Sequence, residues 1–299
     1  MYDVIIIGAG CAGLTAAVYA ARAGKSVLVL EAENIGGQIS FSPKVENFPS
    51  IKQISGSEFA DNLFEQASAL GVELELERVT KIVDGEIKKV YTEDGVHECR
   101  CIIIATGVKH RQLGAEREED FVGKGVSYCA ICDGAFYKGK TVAVAGGGNS
   151  ALQSAALLSG MCEKVYLIHR RDTFRGEQAK ADELRTMPNV ELVLNSIITD
   201  LAGEDALTGV TVCTSQGGEC RDIPLDGLFV SVGQIPENSV FADLVELDES
   251  GYIVAGEDCK TNIKGIFAAG DCRTKSIRQL TTAAADGSVA ALAAVDFIG

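Results

Sequence analysis

Two cysteines stand two residues apart in Cys129-Ala130-Ile131-Cys132-Asp133-Gly134. Thiols at that spacing can close into a disulfide that is readily opened again. If the pair opens a helical turn, peptide N–H groups lower the thiol pKa and supply thiolate at neutral pH. Asp133 adds an acid/base group beside the second sulfur. The competing chemistry is half a zinc site, which needs two further ligands. The nearest candidates are Cys99 and Cys101; the nucleotide motifs on both sides of the pair favour the redox reading, so no metal is expected. The other eight cysteines are scattered or lie in apolar runs and read as small buried hydrophobes.

The pair lies between two glycine-rich turns. Val4 to Ile7 is an unbroken apolar run, as suits a parallel strand buried on both faces. It feeds Gly8-Ala9-Gly10-Cys11-Ala12-Gly13, a GxGxxG, then a helical pattern from Leu14 to Ala23 and a second strand, Val27 to Leu30. Such glycines allow the turn, the approach of backbone to a pyrophosphate and close helix–strand packing. The helix N-terminus suits the phosphate charge, and Glu31 ends the second strand where a carboxylate grips ribose hydroxyls.

Residues 2–31 align with 140–169 without a gap at an offset of 138. Gly8, Gly10 and Gly13 fall on Gly146, Gly148 and Ala151, which marks a duplicated domain plan. The copies differ where the fold selects its nucleotide. Glu31 maps onto His169, followed by Arg170, Arg171 and Arg175. Guanidinium forks match the oxygens of a 2′-phosphate, so the second copy should prefer NADPH over NADH and the first should hold a different dinucleotide. A dithiol between two such sites suggests electrons passing from a nicotinamide, through a flavin, to a disulfide.

The remaining elements must position these groups. A helical stretch near Gly56 to Leu70 precedes three β segments, near 79–83, 87–92 and 96–104. Further β segments span about 190–223 and 227–233. The closing strand, Ile266 to Ala269, ends in Gly270-Asp271, and an alanine-rich helix runs from Leu280 to Val295. The second module already has its terminal strand, so the closing segment is assigned to the first. There Asp271 could bind a polyol chain.

The chain of 299 residues with 46% hydrophobic content suits two domains of ordinary size. We therefore expect an α/β fold of two Rossmann-like three-layer domains, the second inserted into the first: 1–109 with 239–299, and 110–238. A net charge of −15 argues against nucleic acid or an anionic membrane as partner. No apolar run of about 20 residues is visible, so no membrane span is expected. No signal peptide is visible, so with ten cysteines a reducing cytoplasm is expected, where a disulfide is usually catalytic.

Together these residues resemble the low-molecular-weight thioredoxin reductase family over nearly the whole chain. The matching pieces are GAGCAG at 8–13, GGQI at 36–39, ENFP at 46–49, ATG at 105–107, CAICDG at 129–134, GGGNSA at 146–151, HRRDTFR at 169–175, GIFAAGDC at 265–272 and RQ at 278–279. CAICDG inside the second module is the specific signal, because related flavin disulfide reductases carry their cysteines in the FAD domain. The resemblance implies FAD on the first module, held by Gly8, Gly10, Gly13 and Glu31, by Gly37, Gln38 and Asn47, by Ala105, Thr106 and Gly107, and by Gly270, Asp271, Arg278 and Gln279. It implies NADPH on the second, at Gly146, Gly148, Asn149, Ser150, His169, Arg170, Arg171 and Arg175. It makes Cys132 the sulfur facing the flavin, Cys129 the one attacking the substrate disulfide, and Asp133 the proton shuttle. It further implies a homodimer acting on thioredoxin or a thioredoxin-like protein. Two places depart from the family pattern: Ile131 stands where many members have threonine, and Gln153-Ser154 where many have an acidic pair. Competing readings are a dithiol oxidase using oxygen, a reductase with a different electron donor, a non-catalytic flavin redox sensor and a structural zinc protein. With dithiol and nicotinamide site on one module and flavin on the other, that module is expected to rotate on connections near 108–111 and 233–238 during turnover.

Overall fold

Tyr2–Ile7 forms strand β1, and its Val/Ile run is buried. Such a run has no polar side to offer water, so both faces of its sheet must be covered. Val4 and Ile6 pack into one core and Ile5 and Ile7 into another. Helix α1 (Cys11–Arg22) returns the chain to strand β2 (Val27–Leu30), which pairs in parallel with β1. Helix α2 (Gly56–Ser68) follows, its first turn capped by Ser55, whose hydroxyl accepts from the Glu58 N–H at 3.1 Å. Strand β3 (Glu73–Glu75) then extends the sheet beyond β2. Strands β4 (Val79–Val83) and β5 (Lys88–Thr92) form an antiparallel meander with the first half of β6 (Val96–Ile104). The second half of β6 runs parallel to β1. The structure is a computed structural model that describes every residue except Gln216.

The chain divides into two compact units, Met1–Lys109 with Ile235–Gly299, and His110–Gln234. The second unit contains β7 (Val126–Ser127), the single-turn helix α3 (Ala130–Asp133), β8 (Thr141–Ala145), α4 (Asn149–Ser159), β9 (Lys164–Ile168), α5 (Gln178–Thr186) and β10 (Val190–Val193). It continues with β11 (Ser196–Gly203), β12 (Leu207–Thr214), β13 (Cys220–Pro224) and β14 (Gly227–Val230). Its parallel sheet has the order β10-β9-β8-β14-β7, and β11-β12-β13 form a separate antiparallel sheet. The repeat is visible in three dimensions: α1 and α4 begin at Cys11 and Asn149, an offset of 138.

The return to the first unit falls at residues 234/235. It precedes the boundary read at 238/239, and Asn238 explains why. That side chain is fully buried and donates to the carbonyls of Gly251 (2.9 Å) and Cys272 (2.8 Å). It also accepts from the Thr106 hydroxyl at 3.2 Å. Strand β15 (Ile266–Ala268) then joins β6 in parallel, as its sequence required. Helix α6 (Leu280–Ile298) lies against α1, where a Cβ on Gly287 would collide with the Ala12 carbonyl. By length and composition α6 is apolar enough to cross a membrane, which corrects the expectation that no such segment exists. Its buried Asp286, paired with Arg273 and Lys275, identifies it as a core helix of this unit.

Candidate active site

Cys129 caps helix α3: its extended backbone enters the turn, and its sulfur accepts from the Cys132 N–H at 3.2 Å. Cys129 and Cys132 are joined in a disulfide with Cα atoms 5.3 Å apart. Asp133 lies behind them. Its Oδ2 accepts from the Ser127 hydroxyl at 2.7 Å, while its buried Oδ1 has no partner. Burial pushes the Asp133 carboxyl above the usual carboxylate range, against the opposing effect of the Ser127 hydrogen bond. The Ser127 hydroxyl also accepts from the Cys129 N–H at 3.0 Å, so one side chain positions both the cysteine and the acid. Ile131, between the sulfurs, is 66% exposed.

Cys99 and Cys101, the candidates for completing a zinc site, are free thiols buried in β6. Burial pushes their pKa values up to about 12 and about 11, which keeps them neutral. Cys11, Cys162, Cys259 and Cys272 are buried and free too. Cys213 and Cys220 are not: they face each other across β12 and β13 and form a second disulfide, which corrects the reading of all eight as lone hydrophobes.

The second glycine turn carries the features of a phosphate cradle. A Cβ on Gly146 (φ +151°) would collide with the Ser231 carbonyl, and Gly148 caps α4 without a side chain in the way. Asn149 and Ser150 begin that helix and are exposed, and the Asn149 side-chain Oδ1 accepts from the Glu177 N–H at 2.8 Å. His169 is buried with its ring over Gly147, and its Nε2–H donates to the Thr173 carbonyl at 3.1 Å. Burial, then the neighbouring arginines, push its pKa down. Arg170, Arg171 and Arg175 are exposed, and none has a side-chain hydrogen bond or ion pair among the described residues. Three uncommitted guanidiniums at this position fit a 2′-phosphate.

The first turn is built the same way, with a carboxylate in place of the arginines. A Cβ on Gly8 (φ +107°) would collide with the Ala105 carbonyl, and one on Gly13 with the Gly8 carbonyl. Gly10 caps α1 and bridges to Gly36, which leads into the turn of Gly37 and the exposed Gln38. Glu31 accepts from the Ala9 N–H at 2.7 Å and, through its other oxygen, from the Glu33 N–H at 2.8 Å. Ala105 closes onto Ile7 through a 2.8 Å backbone bond, and Gly107 turns with a φ of +68°. Asn47 donates to Gln279 at 3.2 Å, which joins the ENFP and RQ segments. Arg278 stacks 4.2 Å over Tyr252 and donates to the Asp271 carbonyl at 3.4 Å. Asp271 follows Gly270 (φ +79°), and its buried Oδ1 lacks a hydrogen-bond partner. Burial pushes its carboxyl upward. A buried acceptor without a donor, beside a glycine cradle and a ribose-type carboxylate, fits a dinucleotide with a polyol chain.

The family model for pyridine nucleotide-disulphide oxidoreductases matches residues 2–287. A thioredoxin reductase of Listeria monocytogenes is 42% identical, over 97% of this chain and 92% of its own length. This chain belongs to the low-molecular-weight thioredoxin reductase family. The 34.2 kDa protein in the rubredoxin operon of Clostridium pasteurianum is 43% identical, over 99% and 97% of the two chains. The crystal structure of thioredoxin reductase from Streptococcus pyogenes superposes with a TM-score of 0.95 at 39% identity, covering 99% and 98%. Thioredoxin reductases use FAD and NADPH, and the two glycine turns have the shape and charge for them.

Sequence reading missed Ser127 and the group formed by Asp286, Arg273 and Lys275. Asp286 Oδ2 accepts from the Gly270 N–H (2.9 Å), Arg273 Nε (2.8 Å) and Lys275 Nζ (2.9 Å). The available signal was an aspartate in the middle of an alanine-rich helix pattern, which a core accepts only when the charge is paired.

Proposed function

We propose that this chain is an NADPH-dependent flavoprotein that reduces the disulfide of thioredoxin or a thioredoxin-like protein. The observation that carries the reading is the Cys129–Cys132 disulfide with a buried, protonation-prone Asp133 behind it, in the same unit as the arginine-rich nucleotide turn. FAD and NADPH, when bound, supply hydride acceptance and delivery of an electron pair to a disulfide.

The chain's own residues perform the rest. Gly8, Gly10, Gly13 and Glu31 would hold the flavin nucleotide, Asp271 would accept from a hydroxyl of its polyol chain, and Gly37, Gln38, Asn47, Thr106, Gly107, Arg278 and Gln279 would frame it. Gly146, Gly148, Asn149 and Ser150 hold the second pyrophosphate, and Arg170, Arg171 and Arg175 its 2′-phosphate. His169 supports that turn from beneath. Once the disulfide is open, the Cys132 N–H stabilises a thiolate on Cys129, which supports Cys129 as the nucleophile toward substrate. The Cys132 thiolate resolves the mixed disulfide by attacking Cys129 Sγ, which releases the substrate thiolate and re-forms the Cys129–Cys132 bond; opening that bond again takes the electron pair that bound FAD would supply. Asp133 holds the proton that the departing substrate thiolate needs, and Ser127 fixes the carboxyl that carries it. Exposed Ile131 offers a substrate protein an apolar contact between the sulfurs. The second unit rotates against the first to serve both half-reactions, the active protein is a homodimer, and it works in the cytoplasm.

The test is NADPH oxidation by the flavin-loaded protein with and without a thioredoxin. Oxidation that requires thioredoxin, with loss of the thioredoxin disulfide, is the expected result. Equal rates with oxygen alone would make the protein an oxidase, and no oxidation with NADPH in either arm would point to another donor.

A further inference from the structure

Cys213 and Cys220 occupy directly opposed positions on antiparallel β12 and β13. The Thr214 N–H donates to the Glu219 carbonyl at 3.2 Å, so the neighbouring pair is hydrogen-bonded and the cysteines occupy the non-hydrogen-bonded kind of pair, where Cα atoms approach most closely. Their Cα atoms are 4.1 Å apart. Cys220 is exposed and borders a surface cavity of about 190 Å³, lined also by Ser196, Thr214, Glu219 and Arg221. Glu219 carries a negative charge at that opening, and Arg221 is engaged with Glu191 at 2.9 Å.

In the folded protein the alignment of the two cysteines is held by the sheet and does not need the disulfide. The sequence separation is seven residues, and a short closed loop removes less entropy from the unfolded chain than a long one. The same loop is closed by the ladder itself, through Thr214–Glu219 and through the Leu225 N–H to the Thr208 carbonyl at 3.1 Å. The Thr211 hydroxyl adds a 2.7 Å bond to Asp222. An open pair would therefore stay face to face and ready to close. Thr199 Oγ1 stands 3.4 Å from Cys213 Sγ and can donate to a thiolate released there.

We propose that Cys213–Cys220 is a second, reversible thiol–disulfide site that exchanges with dithiols reaching Cys220 through the cavity. It is separate from the Cys129–Cys132 centre and does not depend on the role assigned to that centre. The reductant is any accessible dithiol, of small-molecule or protein origin. Its thiolate attacks Cys220 Sγ, forming a mixed disulfide and breaking the Cys213–Cys220 bond, whose electron pair goes to Cys213. Cys213 takes a proton from solvent. The second thiol of the reductant loses its proton, attacks the mixed disulfide and releases Cys220, which is protonated in turn. Two electrons and two protons pass to the pair, and the reductant leaves as a disulfide. The reverse steps re-close the pair against a disulfide oxidant.

The experiment is alkylation mapping on the folded holoprotein. Iodoacetamide is added before treatment, after dithiothreitol, and after exchange of dithiothreitol for its oxidised form. Peptides are then identified by mass spectrometry while circular dichroism monitors the fold. The expected result is protection of Cys213 and Cys220 at first, labelling of both after dithiothreitol with the fold unchanged, and renewed protection after oxidation. Labelling that needs denaturant would make the bond an inert staple, labelling without reductant would show no disulfide, and failure to re-close would remove reversibility. Each would overturn the proposal. A Cys213→Ser/Cys220→Ser protein should keep its fold and basal turnover, and its unfolding would assign the bond a structural role instead.

Discussion

Asp286 reaches from the middle of α6 to accept a hydrogen bond from the Gly270 N–H at 2.9 Å. The same carboxylate takes Arg273 through both oxygens, at 2.8 Å each. The turn that presents Asp271 is thus pinned by a charge on a helix that sequence alone reads as plain packing. Replacing Asp286 with Asn leaves Arg273, which is 1% exposed, without its buried counter-charge and with only the exposed Glu257 at 3.4 Å. Removing one partner of a buried pair costs about 3–5 kcal/mol. Urea unfolding of Asp286→Asn should show a loss of that size, with less FAD retained per chain by its visible absorbance. Wild-type stability and full flavin content would contradict the assignment.

Asp271 should act against stability so that it can bind. Burial raises its pKa in the fold, so its contribution is fully present below the unfolded value of about 3.9 and is lost as pH rises through the folded value. Asp271→Asn in the flavin-free protein should therefore unfold at higher denaturant than the parent at pH 7, with the difference vanishing near pH 3. The same protein should bind FAD more weakly. A parent that is the more stable of the two at pH 7 would refute this.

The guanidiniums after β9 are exposed and uncommitted, so losing them should cost recognition rather than fold. A hydrogen bond to a charged group contributes about 1.5–3 kcal/mol. Arg170→Ala/Arg175→Ala should erase most of the preference for NADPH over NADH in kcat/KM and leave the unfolding midpoint in place. An unmodified protein that treats both nucleotides alike would remove the basis of the assignment.

Asp133 separates proton delivery from electron delivery. Asp133→Asn keeps the shape of the group and a partner for Ser127, and removes the transferable proton. Positioned acid–base groups contribute about 10²–10⁴-fold. Turnover with thioredoxin should fall within that range, its KM should hold, and flavin reduction by NADPH should be unaffected. Ser127→Ala should give a smaller loss with the same pattern. A change confined to KM would mean that the residue shapes docking instead.

Much of this is legible in the sequence. The glycine turns, Glu31 and the arginines announce themselves because each is a local pattern whose spacing is set by one strand–turn–helix unit. The repeat at an offset of 138 placed both turns, and the spare strand near Ile266 had only one sheet to join. What escaped depends on register between distant segments. Cys213 and Cys220 become a pair only when β12 and β13 align them, and six other cysteines of the same appearance are buried alone. Asp286 meets Gly270 across a turn whose length the sequence does not encode in any short motif. Asn238 was assigned to the wrong unit because its three hydrogen bonds run to residues far away in the chain.

The inserted unit leaves and re-enters the first at neighbouring points. The Arg111 N–H donates to the Gly233 carbonyl at 3.0 Å within the second unit, and Lys109 pairs with Glu237 at 3.1 Å within the first. In the language of chain statistics, the first unit experiences the whole insertion as a short loop that is already closed, with almost none of the closure entropy its length would suggest. Either unit is then a cassette. Cutting the insertion out at its paired ends and closing the gap with a tight turn would reroute no strand of the first unit's sheet.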